Sequence, residues 1–194
     1  LRRVGSPLRE LGERLLETGA ARRELGRRAG VFPRQTLQHR DSFFDLFEPL
    51  GITHWEWATD LRDRPLAFAG LRLRPRDMAK LGRLVLQGGR WQGRQLVPEA
   101  WVAASLRKQI ETGLRMPPDV EGGLGYGYQW WTGNVAWRGR QLTWSTALGN
   151  GGQRIFVVPE LDLTVVTTAG EYGHHEIGHV VGDLFTRIVA TVAE

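Results

Sequence analysis

The sequence predicts an α+β fold, and three observations predict it. From about residue 42 the apolar residues recur at helical spacing. The middle then switches to strand-like runs rich in Val, Thr and aromatics, and the end returns to helical spacing. Helices, antiparallel strands and one closing helix, in that order, are the signature of that class. The 194 residues, 41% hydrophobic and 24% charged, make one soluble globular unit or a large piece of one, and exclude disorder and collagen.

The elements follow in order. Ser6 and Pro7 read as an N-cap and first helical residue, with Leu8, Leu11 and Leu15 at helical spacing up to Gly19. Arg22 to Arg28 has only Leu25 to bury, so the helical pattern fades there. Phe43, Phe44, Leu46 and Phe47 form a short buried helix that stops at Pro49, Leu50 and Gly51. Pro75 opens a second helix, with Met78, Leu81, Leu84 and Val85 on one face, Asp77 near its positive end and Gly88 and Gly89 as its stop. Pro98 and Glu99 open a third, running towards Ile110, with Trp101, Val102 and Leu106 inward. The aromatic run Tyr126, Tyr128, Trp130 and Trp131 starts the strands, followed by Gln141 to Thr146 and Arg154 to Val158. A turn at Pro159 to Asp162 and Leu163 to Ala169 complete a hairpin. Ile177, Val180, Val181, Leu184, Phe185, Ile188, Val189 and Val192 mark the closing helix.

Charge divides the chain near residue 40. Leu1 to Arg40 holds ten Arg against four Glu, a net +6, whereas Asp41 to Glu194 carries −1. The domain reading is therefore 1–40, an Arg-rich divergent segment, and 41–194, the folded domain. Only Lys80 and Lys108 are Lys, a bias more easily read as coding preference than as guanidinium chemistry. The head lacks the interleaved aromatics of a nucleic-acid platform and alternates Arg with Glu, so no nucleic-acid partner is expected. No stretch has the roughly 18 apolar residues of a membrane span, and no signal-peptide core opens the chain. Zero Cys removes disulfides and thiolate chemistry but assigns no compartment, so localisation and oligomeric state stay open.

Three strings could carry chemistry. His175, Glu176, Ile177, Gly178 and His179 form HExxH, a zinc-peptidase pattern. With Ile177 at zero on the helical wheel, the apolar face centres near about 20° while both His fall near about 160–200°. They point away from the core, so no metal is expected. Ser105, Leu106, Arg107 and Lys108 form SxxK, the spacing of serine penicillin-binding enzymes. A nucleophile starts a buried helix, whereas Arg107, Lys108 and Glu111 place Ser105 late in a surface helix, and it reads as a decoy. The third string runs Gly149, Asn150, Gly151, Gly152, Gln153 at the mouth of the strand Arg154 to Val158. Bare backbone there lets a ligand lie close, and an edge strand with free N–H groups could polarise a carbonyl. A Gly-rich bulge leading into a hairpin explains the same residues equally well.

At this point a family resemblance enters. Pro49-Leu50-Gly51-Ile52, Gly70 to Gly82, Gly89-Arg90-Trp91, Gly93-Arg94, Trp101-Val102, Tyr126 to Trp131 and Gly149 to Pro159 resemble, in order, the C-terminal portion of the class C β-lactamase-related serine hydrolases. That family includes β-lactamases, penicillin-binding DD-peptidases and esterase-like members, and the resemblance covers about Phe43 to Val192. It implies the C-terminal part of a β-lactamase/transpeptidase-like fold, an antiparallel sheet packed with helices and a long C-terminal helix. It also implies acyl-Ser hydrolysis of amide, ester or β-lactam bonds, a small-molecule or peptide-like substrate, and no cofactor. Of the family's three motifs, only the edge-strand one, Lys-Thr-Gly or His-x-Gly, has a match, at Asn150, Gly151 and Gly152. Gln153 would then supply the sheet's backbone N–H of the oxyanion hole. Asn150 donates hydrogen bonds but carries no charge for a substrate carboxylate, which points towards esters or amides. A matching nucleophilic Ser-x-x-Lys would lie before Leu1, and none of Tyr126, Tyr128 or Tyr172 has Asn two residues later. The expectation is a fragment, inactive alone, in which Leu1 to Arg40 replaces a family segment through a frame disturbance or divergence. The alternative is a non-catalytic peptide- or glycan-binding module in which Trp130, Trp131, Trp137 and Trp144 stack on ligand.

Overall fold

In the computed structural model, residues 43–62, 64–67, 69–115 and 123–192 are described, and all lie in the unit His39–Glu194. The expected helix over Ser6 to Gly19, the Arg-rich head and the boundary at residue 40 fall outside them.

A turn of π-helix at Phe43–Phe47 leads into β1 (Trp55–Trp57), which pairs antiparallel with β2 (Leu71–Leu73). Helix α1 (Pro75–Leu86) follows, with Pro75 in its first turn and its end at Gln87, ahead of Gly88 and Gly89. The ribbon β3 (Arg90–Trp91) and β4 (Arg94–Gln95) turns at Gln92 and Gly93, both at positive φ. Helix α2 is Glu99–Leu106. The chain then enters a six-stranded antiparallel sheet made of β5 (Ile110–Glu111), β6 (Gly125–Tyr126), β7 (Trp131–Trp137), β8 (Arg140–Leu148), β9 (Arg154–Val158) and β10 (Leu163–Thr167). Their spatial order is β10-β9-β8-β7-β6-β5, a meander. Helix α3 (Glu176–Thr191) closes the described chain.

The sheet is covered on both faces, which is why all five residues of β9 are buried and apolar apart from Arg154. One face meets α3: Val181, Phe185 and Val189 join Val135, Leu142, Trp144, Phe156, Val158 and Val165 in one core. Phe156 stacks on Phe185 with ring centroids 4.1 Å apart, and Trp137 Nε1 donates to Val192 O at the far end of the helix. The other face meets α1 at Gly82. A Cβ there would lie 2.3 Å from Thr164 Cγ2 and 2.9 Å from Ile155 Cγ2, so only glycine lets the helix come this close. Behind α1, Phe47, Leu50, Ile52 and Leu84 form a second core with Trp55, Trp57 and Leu71.

Four expectations change. Helix α2 ends at Leu106 rather than near Ile110, because Arg107 is extended and the next residues are taken by the sheet: Gln109 N–H donates to Tyr126 O and Ile110 pairs with Tyr126. The aromatic run is two strands, split where Gln129 takes φ 66° and Gly127 N–H bonds Trp130 O at 2.7 Å. On α3, Val180 and Leu184 are 60% and 46% exposed, so the apolar stripe is wider than the face it buries. Finally, the strand expected at an edge, Arg154 to Val158, is interior: β9 pairs with β10 on one side and β8 on the other, and β8 is interior as well. The turn at Arg138 and Gly139, both at positive φ, folds β7 back along it, and β9 takes its other side. The β7 ladder stops at Trp131 opposite Thr146, so only Ala147 and Leu148 of β8 lack a partner on that side.

Candidate functional site

The five residues that join β8 to β9 form a closed turn. Gly149 N–H donates to Gln153 O at 2.9 Å, one step beyond the last ladder pair, Leu148 with Arg154. Gly151 and Gly152 take φ of 84° and 94°, a region that L side chains rarely adopt. Their bare faces are occupied by the chain itself. A Cβ on Gly151 would sit 3.0 Å from the Tyr172 ring, and one on Gly152 would sit 2.8 Å from Ile177 Cγ1 and 3.0 Å from Ala169 Cβ. The glycines therefore let residues 169–177 settle over the turn. Asn150 is exposed at its tip, and its Oδ1 accepts from Gly173 N–H at 3.1 Å.

Two further side chains hold the turn, and neither is visible as a motif. Thr167, the last residue of β10, donates its hydroxyl to Gly152 O at 2.9 Å. Arg154, only 6% exposed, donates from Nη1 to Gly149 O at 2.7 Å and to Gln153 O at 2.9 Å. It has no carboxylate partner among the described residues, and burial pushes its guanidinium down to about 10. Gln153 Nε2 donates to Ala169 O, while its Oε1 is buried with no donor among the described residues. Among those residues, no acceptor takes the backbone N–H of Gln153. A free backbone donor on a held turn is the chemical capacity of this site: it can donate a hydrogen bond to the oxygen of a polarised carbonyl.

The other two strings lie elsewhere. Ser105 is buried at 6% exposure, not on a surface as expected, since Gly127 packs against its carbonyl and Tyr128 N–H bonds it. Its hydroxyl donates back to Trp101 O at 2.8 Å. With Leu84, Val97, Trp101, Val102 and Trp130 it lines an apolar cavity of about 110 Å³. Lys108 lies beyond the end of α2 and pairs with Glu111 at 2.5 Å, which holds the Glu111 carboxyl below its usual range. His175 and His179 are exposed at the start of α3, while Ile177 between them packs on the core. Trp137 and Trp144 are buried in that core and present no face to a ligand.

The sequence profile of the beta-lactamase family matches residues 3–176, a span that starts upstream of the motifs quoted above and takes in most of the Arg-rich segment. No curated protein sequence matches the chain. Among solved structures, a candidate 6-aminohexanoate-dimer hydrolase from Bacillus anthracis is 22% identical with a TM-score of 0.60, covering 77% of this chain and 37% of its own. A candidate beta-lactamase from Bacteroides dorei is 18% identical with a TM-score of 0.51, covering 74% of this chain and 49% of its own. The chain thus spans less than half of either structure, and the likeness is one of fold: a six-stranded antiparallel sheet with helices on it, including the C-terminal one. With nine-tenths of its length inside the profile, the chain belongs to the beta-lactamase family.

Proposed function

We propose that this chain carries the sheet side of the active site of a serine acyl hydrolase, with the nucleophilic Ser and its Lys partner supplied by polypeptide outside these residues. Gln153 offers its backbone N–H to the oxyanion and the exposed Asn150 meets the substrate beside it, while Gly151 and Gly152, buried under Tyr172, Ile177 and Ala169, shape the turn instead of lining the substrate as the sequence suggested. The observation that carries the reading is the held turn Gly149–Gln153 with that N–H untaken among the described residues. In acyl transfer a serine oxygen adds to the substrate carbonyl. The carbonyl oxygen then bears negative charge, and a donor already aimed at it lowers the barrier.

Asn150 replaces the cation expected at this position, so esters and amides suit the site better than acids of the penicillin type. Strand-like pairing of a substrate backbone beside the turn would use Ala147 and Leu148, where β8 has outrun β7. The Ser105 hydroxyl is bonded to its own helix and is no nucleophile. A fluorophosphonate serine probe and a fluorescent penicillin, offered to this chain and to a polypeptide extended upstream through the coding sequence, test the reading. The expected result is labelling of the extended polypeptide alone. No labelling of either would refute a hydrolase, and labelling of Ser105 would refute the assignment of the site.

A further inference from the structure

The oxyanion reading rests on a single peptide group, Gly152–Gln153, and the structure shows what holds it. A trans peptide is planar, with its C=O and N–H pointing in opposite directions, so fixing the oxygen fixes the hydrogen. The Gly152 oxygen is bonded by the Thr167 hydroxyl at 2.9 Å. Both φ angles leading into this peptide are positive and glycine-only, and such a backbone has little intrinsic preference for one orientation. Without an anchor the peptide could rotate and turn the Gln153 N–H out of the site.

We propose that Thr167 is the positioning residue of the site: its hydroxyl pins the Gly152 carbonyl so that the Gln153 N–H faces the substrate. This deepens the hydrolase reading and depends on it for its function. Arg154 completes the arrangement by bonding the carbonyls on either side, Gly149 O and Gln153 O, so that the turn is anchored at both ends and in its middle. A hydrogen bond to the carbonyl also polarises the same amide and makes its N–H a better donor. Thr167 does not need to touch substrate for this, because it acts through the peptide.

Two substitutions at Thr167 test the idea. Thr167→Val keeps shape and β-branching but loses the hydroxyl, and Thr167→Ser keeps the hydroxyl. The first measurement is the nitrogen-15 and proton shift of the Gln153 amide in this chain, with the Val157 and Val165 amides reporting whether β9 and β10 are intact. Thr167→Val should move the Gln153 amide and leave the other two in place, and Thr167→Ser should restore it. The second measurement is acylation by an ester probe in the upstream-extended polypeptide. Thr167→Val should lower the rate at saturating probe tenfold or more while the half-saturating concentration holds, and Thr167→Ser should stay within about threefold of wild type. A Gln153 amide unmoved by Thr167→Val, or moved as much by Thr167→Ser, overturns the proposal, as does an acylation loss that appears only in the half-saturating concentration. A wild-type extended polypeptide that does not acylate refutes the hydrolase reading instead, and the amide shifts still decide whether Thr167 orients the peptide.

Discussion

Two stretches of this chain carry the letters of catalytic motifs, Ser105 to Lys108 and Gly149 to Gln153. In space they differ in what they leave unspent. At the first, the serine hydroxyl is bonded inside its own helix and the lysine is paired with Glu111. At the second, side chains from β9 and β10 bond the carbonyls of the turn, and a backbone donor is left over. Chemistry needs groups held by their neighbours but not consumed by them, and only the glycine turn meets both conditions.

The largest expected effect tests whether the turn's glycines are as constrained as this comparison requires. Gly152→Val places a branched side chain at φ 94° and into Ile177 and Ala169. Strain and overpacking together should cost about 3–5 kcal/mol, read by urea unfolding. Gly93→Ala is its control, because it has a similar φ of 81° but nothing within 4 Å of the new Cβ, and it should cost about 1 kcal/mol. Equal losses at the two positions would mean that packing of residues 169–177 over the turn contributes nothing.

Much of the fold was legible because apolar spacing reports burial directly. Pro75–Leu86, Arg154–Val158, Leu163–Thr167 and the closing helix stand where periodicity places them. What escaped depended on tertiary pairing. The spacing from Trp101 to Ile110 continues past Leu106, but β6 captures the backbone, and nothing in the letters of β7 announces that it folds back along β8. The site divides the same way. Asn150 to Gln153 draw notice through their glycines, whereas Thr167 and Arg154 read as an ordinary strand Thr and a stray cation. Their partners are backbone carbonyls, which no sequence pattern encodes.

A smaller effect is expected at Ser105. Its hydroxyl bonds a carbonyl of its own helix, so Ser105→Ala should change stability by no more than about 1 kcal/mol by thermal unfolding. It should also leave acylation of the upstream-extended polypeptide intact. A loss of labelling would erase the difference between the two stretches.

The smallest effect concerns Lys108, and its sign comes from the Glu111 carboxyl. The side-chain hydrogen bond from Lys108, with its charge, lowers that carboxyl in the folded chain below its ordinary 4.5. A carboxyl depressed on folding adds stability that is present above its unfolded value and disappears as the pH falls through the folded one. Lys108→Met should therefore flatten the acid side of the stability profile below about pH 4.5 and leave the profile above pH 6 nearly parallel to wild type. Both side chains are solvent-exposed, at 53% and 73%, so raised salt should mimic the substitution. A catalytic lysine would behave otherwise, since its removal would abolish acylation at neutral pH whatever the salt. Unchanged labelling together with a flattened acid limb is the combination that a solvated ion pair requires and a proton-transferring lysine forbids.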